Sequence, residues 1–159
     1  MRQVVALATL AVALSAGVAR PAAAGEKPAS DPVRGAVERA LAAKSAEEQQ
    51  AAFDALDALG CRAAPAIGAA LDDGRKLPFR ALALGRRAGA RSGPAREYAP
   101  ETVTDALAAI LSDLTWQHFG FIYNGATAAE RSRAVALWRA YLARPLDEIC
   151  GPEPKSPAG

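Results

Sequence analysis

The stretch from Ser45 to Asp73, SAEEQQAAFDALDALGCRAAPAIGAALDD, decides how this chain folds. Ser45 with Glu48 three residues on forms a capping box, the reciprocal pairing that opens a helix. Phe53, Leu56 and Leu59 then share one stripe at helical spacing until Gly60 stops it. Pro65 presets a second helix, which turns Ile67 and Leu71 inward and closes at Asp72, Asp73 and Gly74. Helix, glycine turn, proline and helix within thirty residues predict an all-α chain.

The same logic extends to both sides. Pro32 takes the first position of an earlier helix carrying Val33, Val37 and Leu41 and ending near Ala43. From Gly74 to Arg96 the pattern is broken by Pro78, Gly85, Gly89, Gly93 and Pro94, and the segment reads mostly as loop. Pro100 opens a well-patterned helix with Val103, Leu107, Ile110, Leu111 and Leu114 inward. An irregular aromatic segment, Trp116 to Tyr123, comes next and ends at the turn pair Asn124 and Gly125. Thr127 and Glu130 make another capping box, and Val135, Trp138, Tyr141 and Leu142 line the last helix before Pro145. About five helices are expected in one domain over 32–144, with a linker at 25–31 and a mobile tail at 145–159.

Of 159 residues, 51% are hydrophobic, but 41 are alanine and nine are aromatic, so the apolar surface available for burial is small. A core this thin needs reinforcement. The N-terminus has the form of a signal peptide: Arg2, an uncharged run from Val4 to Leu14, and Ala22, Ala23 and Ala24 before Gly25. Eleven residues rise only about 16 Å as a helix, too short to span a bilayer. Cleavage after residue 24 leaves 17 acidic and 17 basic side chains, because Arg2 and Arg20 are lost from 19 basic ones. Export places the chain in an oxidising compartment, periplasmic or secreted, where Cys61 and Cys150 are expected to pair.

The run Ala55 to Gly60, then Pro65, Ala66 and Ile67, ending in Leu71, Asp72 and Asp73, resembles a HEAT-type repeat. Ala106 to Ile110 aligns with Ala55 to Leu59 at an offset of 51, above the usual HEAT period of roughly 40 to 47. Leu114-Thr115, Phe119-Gly120 and Trp138-Arg139 are similar to the closing region of exported bacterial proteins of HEAT-like type. The resemblance implies short helical hairpins that stack into a protein-binding face, and it transfers no catalytic residue.

Motif chemistry points the same way. One histidine and two cysteines cannot build a zinc site of the usual N/S kind, and no phosphate-loop, dinucleotide or GxSxG pattern occurs. No cofactor is expected. Candidate binding residues fall in two groups. Trp116, His118, Phe121 and Tyr123 form an aromatic platform around the single imidazole. Arg86, Arg87 and Arg91 belong to a stretch, Gly74 to Arg96, that also holds Arg75, Lys76, Arg80 and Arg96 without one acid. Such a stretch suits an anionic surface. Export argues against nucleic acid as the partner. The expected function is a protein-protein interaction module of the envelope without catalysis, and no membrane span is expected after cleavage. A small hydrolase or lyase acting on polysaccharide or peptide through His118 and nearby carboxylates is the alternative, drawing on Ser112, Asp113, Asp105 and Glu130. A structural or inhibitory role is the third.

Overall fold

The computed structural model describes residues 31–85 and 95–151. The leader, most of the linker, Arg86, Arg87, Arg91 and the tail from 152 lie outside the described residues.

Local signals start the helices. Helix α1 (Pro32–Ala42) begins where the Asp31 side chain accepts the Val33 N–H at 3.0 Å. Helix α2 (Ala46–Asp57) begins at Ser45, whose Oγ accepts the Glu48 N–H at 3.2 Å. The Glu48 carboxylate reaches one residue further back than the box predicts, to the Lys44 N–H at 2.7 Å. After Gly60, at φ 71°, a 3-10 turn (Cys61–Ala63) leads into the short α3 (Ala64–Ala69). Helix α4 (Val103–Thr115) starts three residues later than Pro100 suggests, because Thr102 and Asp105 form an unforeseen capping box. Helix α5 (Ala128–Leu142) has the expected box at Thr127 and Glu130. The described residues are mostly helical, as expected, and the all-α expectation is departed from by one small sheet among them.

Strands β1 (Leu82–Leu84) and β2 (Arg96–Tyr98) form an antiparallel pair inside and just beyond the segment read as loop, with Leu82 opposite Tyr98 and Leu84 opposite Arg96. An isolated two-stranded hairpin is marginal in water. Here α2 takes the place of a third strand. Gln49 Nε2 donates to the carbonyls of Phe79 (2.8 Å) and Ala81 (3.0 Å), while its Oε1 accepts the Phe79 N–H at 3.1 Å. Gln50 repeats the pairing on Ala83, donating at 2.8 Å and accepting at 2.7 Å. Two side-chain amides thus satisfy the edge of β1 that β2 leaves open.

Helix α4 lies at the centre, with all thirteen residues buried. Its apolar positions run almost all round, as a fully enclosed helix requires. Each polar side chain on it has a partner: Thr104 Oγ1 donates to the Leu71 and Asp73 carbonyls, and Thr115 Oγ1 donates to the Leu111 carbonyl. Asp105 meets Arg131, Ser112 meets His118, and Asp113 meets Arg96. Around this axis α1 packs along α2, β1 rests on α2, and α3 packs on α4 and α5. A Cβ at Gly68 would displace the end of the Leu142 side chain, which packs over this position where α3 meets α5.

Residues from 145 do not all belong to a tail. Leu146–Cys150 form a sixth helix, α6, with Ile149 buried. The reason is the Cys61–Cys150 disulfide, which joins positions 89 apart and holds α6 against the 3-10 turn.

Candidate functional site

The aromatic segment begins at the end of α4. Trp116 sits there at φ 60° and ψ 22°, with its N–H donating to the Ser112 carbonyl at 3.0 Å. A left-handed tryptophan costs about 1 kcal/mol or more, and it turns the chain sharply off the helix. At the far end Gly125 adopts φ 99°, and a Cβ there would come within 2.7 Å of Glu101.

Between these turns the rings are sorted into two sets. Tyr123 and Ile122 are buried, and Phe119 is half-buried. Phe119 meets Trp138 edge-on at 4.8 Å and Tyr141 at 5.4 Å. Trp116 is 53% exposed, Phe121 85% exposed, and His118 also faces solvent. His118 and Phe121 stack at 6.2 Å with 21° between their planes, and Phe121 stands edge-on to Tyr123 at 6.3 Å. Tyr98 of β2 supports Tyr123 from behind at 5.4 Å. Tyr123 therefore props the platform rather than forming its surface.

Beneath the imidazole lie two hydroxyls. His118 Nδ1 is 2.8 Å from Ser112 Oγ and 3.3 Å from the Tyr123 hydroxyl. Each hydroxyl can donate to Nδ1 or accept from it, so the direction of these hydrogen bonds follows the tautomer of the ring. Burial pushes the Tyr123 phenol above its ordinary range, partly offset by its hydrogen bond with Ser112. A serine beside an imidazole is part of the apparatus of nucleophilic catalysis, but Ser112 is only 2% exposed under the ring.

The carboxylates grouped with His118 in the catalytic alternative are engaged elsewhere. Asp113 is ion-paired with Arg96, whose guanidinium also lies 5.9 Å from the centre of the Trp116 ring. Asp105 is fully buried against Arg131, and Glu130 accepts both the Thr127 N–H (2.8 Å) and hydroxyl (2.7 Å). The groups that do reach His118 are Ser112 and Tyr123. Ser112 was visible only as a neighbour in sequence, and nothing in the spacing distinguished it from Asp113.

The basic stretch is likewise reassigned where it is described. Arg75 binds Glu38 and Asp73, Arg80 pairs with Glu101 at 3.4 Å, and Arg96 pairs with Asp113. Arg75 holds the Asp73 carboxyl below its ordinary value. These acids come from outside the 74–96 window, so the local charge count could not register them. Arg86, Arg87 and Arg91 lie outside the described residues.

A cleft of about 710 Å³ is bounded by α2 between Ala46 and Asp54, by residues 80–83 and 97–99 and by Asn124, and none of the three exposed rings lines it. Among the described residues no cluster of three histidine, cysteine or acidic side chains could hold a metal ion, and no helix is long and apolar enough to cross a membrane. Comparison with protein-family models, with curated proteins and with solved structures gave no match.

Proposed function

We propose that the chain is an exported helical interaction module of the bacterial envelope, built of HEAT-like hairpins, whose aromatic face holds another protein. The observation that carries this reading is Phe121, 85% exposed and stacked on His118 beside the half-exposed Trp116. Leaving such a ring in water forgoes roughly 2 kcal/mol of burial, which a bound partner recovers. Large aromatics held on a rigid scaffold are also the residue types that anchor interfaces. Gly60 at φ 71° and Pro65 in the first turn of α3 support the HEAT-like part. The disulfide is compatible with an oxidising extracellular compartment. In this reading Arg86, Arg87 and Arg91 supply an electrostatic contact to an anionic surface.

The test is a photoreactive side chain at position 121, compared with one at Leu137 on α5, which is 45% exposed. A discrete envelope product is expected at 121 and not at 137, and Trp116→Ser with Phe121→Ser should remove it while leaving thermal stability nearly unchanged. Equal labelling at both positions would reject the aromatic face.

The Ser112–His118 contact at 2.8 Å favours a second reading, a small hydrolase acting on polysaccharide or peptide. Product release from envelope glycan or peptide that is abolished by both Ser112→Ala and His118→Ala would establish it. Release by the variants at the parent rate would dismiss it.

A further inference from the structure

Helix α6 cannot stand by itself. Its five residues fall far short of the roughly 12 to 15 at which an isolated helix is even marginal in water. Its backbone closes back on Pro145, whose carbonyl accepts the Glu148 N–H at 3.1 Å and the Ile149 N–H at 3.2 Å. Of its side chains only Ile149 is buried, and the helix meets the 3-10 turn, α4 and α5. Two further ties are weak. The Tyr141 hydroxyl donates to the Ile149 carbonyl at a long 3.5 Å, and the Arg144–Glu148 pair at 2.8 Å joins two half-exposed side chains that water and salt screen.

The link into α6 has the form of a hinge. Ala143, Arg144 and Pro145 are exposed, and the last turn of α5 is completed without α6, by the Ala143 N–H on the Arg139 carbonyl at 3.1 Å and the Arg144 N–H on the Tyr141 carbonyl at 3.2 Å. Departure of α6 therefore leaves α5 whole. The buried core runs from α1 to α5 and takes only Ile149 from α6. Cys61 and Cys150 are both partly exposed, so the covalent fastening of α6 lies where a thiolate can approach it.

We propose that the Cys61–Cys150 disulfide is a redox latch: reduction by a dithiol of the Cys-x-x-Cys class releases α6 and empties the slot that Ile149 fills, while the rest of the domain stays folded. A thiolate of the dithiol attacks one sulfur of the bridge, forming a mixed disulfide and expelling the other sulfur as a thiolate, which takes up a proton. The second thiol of the dithiol gives up its proton and displaces the remaining cysteine in the same way. The bridge gains two electrons and two protons, and the dithiol is oxidised to a disulfide. Re-oxidation closes the latch. The device needs no partner at the aromatic face, so it stands or falls apart from the binding reading.

The experiment treats the bridged protein with dithiothreitol in the absence of denaturant, traps free thiols with iodoacetamide and follows hydrogen exchange by mass spectrometry. Both cysteines should be alkylated, and exchange across Leu146–Cys150 should rise by about a hundredfold, while the amides of α4 remain the slowest in the chain. Cys61→Ser with Cys150→Ser should show the same pattern with no reductant present, and re-oxidation of the reduced parent chain should restore protection. Cysteines that are alkylated only in denaturant would overturn the proposal, because the bridge would then be closed to thiols in the folded state. Unchanged protection of α6 after reduction would overturn it by showing that Ile149 alone holds the helix. Loss of α4 protection together with that of α6 would make the bridge a fastening of the whole domain and not a latch.

Discussion

Replacing Asp105 by alanine tests whether the buried ion pair on α4 holds this fold together. The carboxylate is fully buried and accepts four hydrogen bonds. Oδ1 takes Arg131 Nε at 2.7 Å, while Oδ2 takes Arg131 Nη2 at 2.8 Å and the N–H groups of Glu101 (3.0 Å) and Thr102 (3.1 Å). Loss of the capping contacts costs about 1 kcal/mol. Stranding a buried cation costs roughly 3 to 5 kcal/mol. Arg131 keeps Glu101 Oε2 at 3.1 Å and is 19% exposed, which selects the lower end. The sum is about 4 kcal/mol, or a fall in Tm on the order of 15 to 20 °C for a domain of this size. Urea and thermal unfolding of Asp105→Ala, Arg131→Met and the double variant measure it. The double variant, with no stranded charge, should be more stable than the two single losses added together predict, by about 2 kcal/mol. A cost under about 1 kcal/mol for Asp105→Ala, with additive singles, would refute the reasoning.

Gln49→Ala should cost about 2 to 3 kcal/mol, because it orphans the Phe79 N–H and two carbonyls at the edge of β1, and hydrogen exchange at Phe79 should accelerate with it. Cys61→Ala with Cys150→Ala should lower stability by about 4 to 5 kcal/mol in the chain-entropy picture, read as an earlier denaturation midpoint, with α6 the first element to lose exchange protection. The raised pKa of Tyr123 means that the folded state holds its phenolic proton more firmly than the unfolded chain does. Its contribution is therefore complete below the ordinary value of 10.0 and lost as pH rises through the folded pKa, and Tyr123→Phe should flatten the alkaline fall in stability followed by circular dichroism.

The helical part of the fold was legible because helix formation is a local affair. Pro32, Ser45 with Glu48 and Thr127 with Glu130 act within one turn, and the inward stripes of α1 and α5 follow from spacing, whereas in the stripe assigned to α2 Phe53 and Leu56 are buried but Leu59, past the end of the helix, is exposed. The capping box at Thr102 was missed because Pro100 offered a more conspicuous start. The hairpin was not legible. Strands of three residues carry no usable alternation, and their partner lies across a glycine-rich interval, so β1 and β2 owe their existence to Gln49 and Gln50, more than thirty positions away from the residues they clamp.

Sequence alone determined where the first five helices lie, though not α6, and which cysteines are available to pair, since two cysteines allow a single intramolecular bridge. Tertiary structure decided what the polar and aromatic residues do. Phe119, Phe121 and Tyr123 alternate as if along a strand, which would turn all three rings to one side. Gly120 at φ 81° breaks that geometry, and Phe119 and Tyr123 turn inward while Phe121 is left in solvent. Asp113 stands next to Ser112 in sequence, yet α4 presents one to Arg96 and the other to His118. Neighbours on a helix point about 100° apart, so the partner of each is chosen by what packs against that side of the helix and not by its place in the chain.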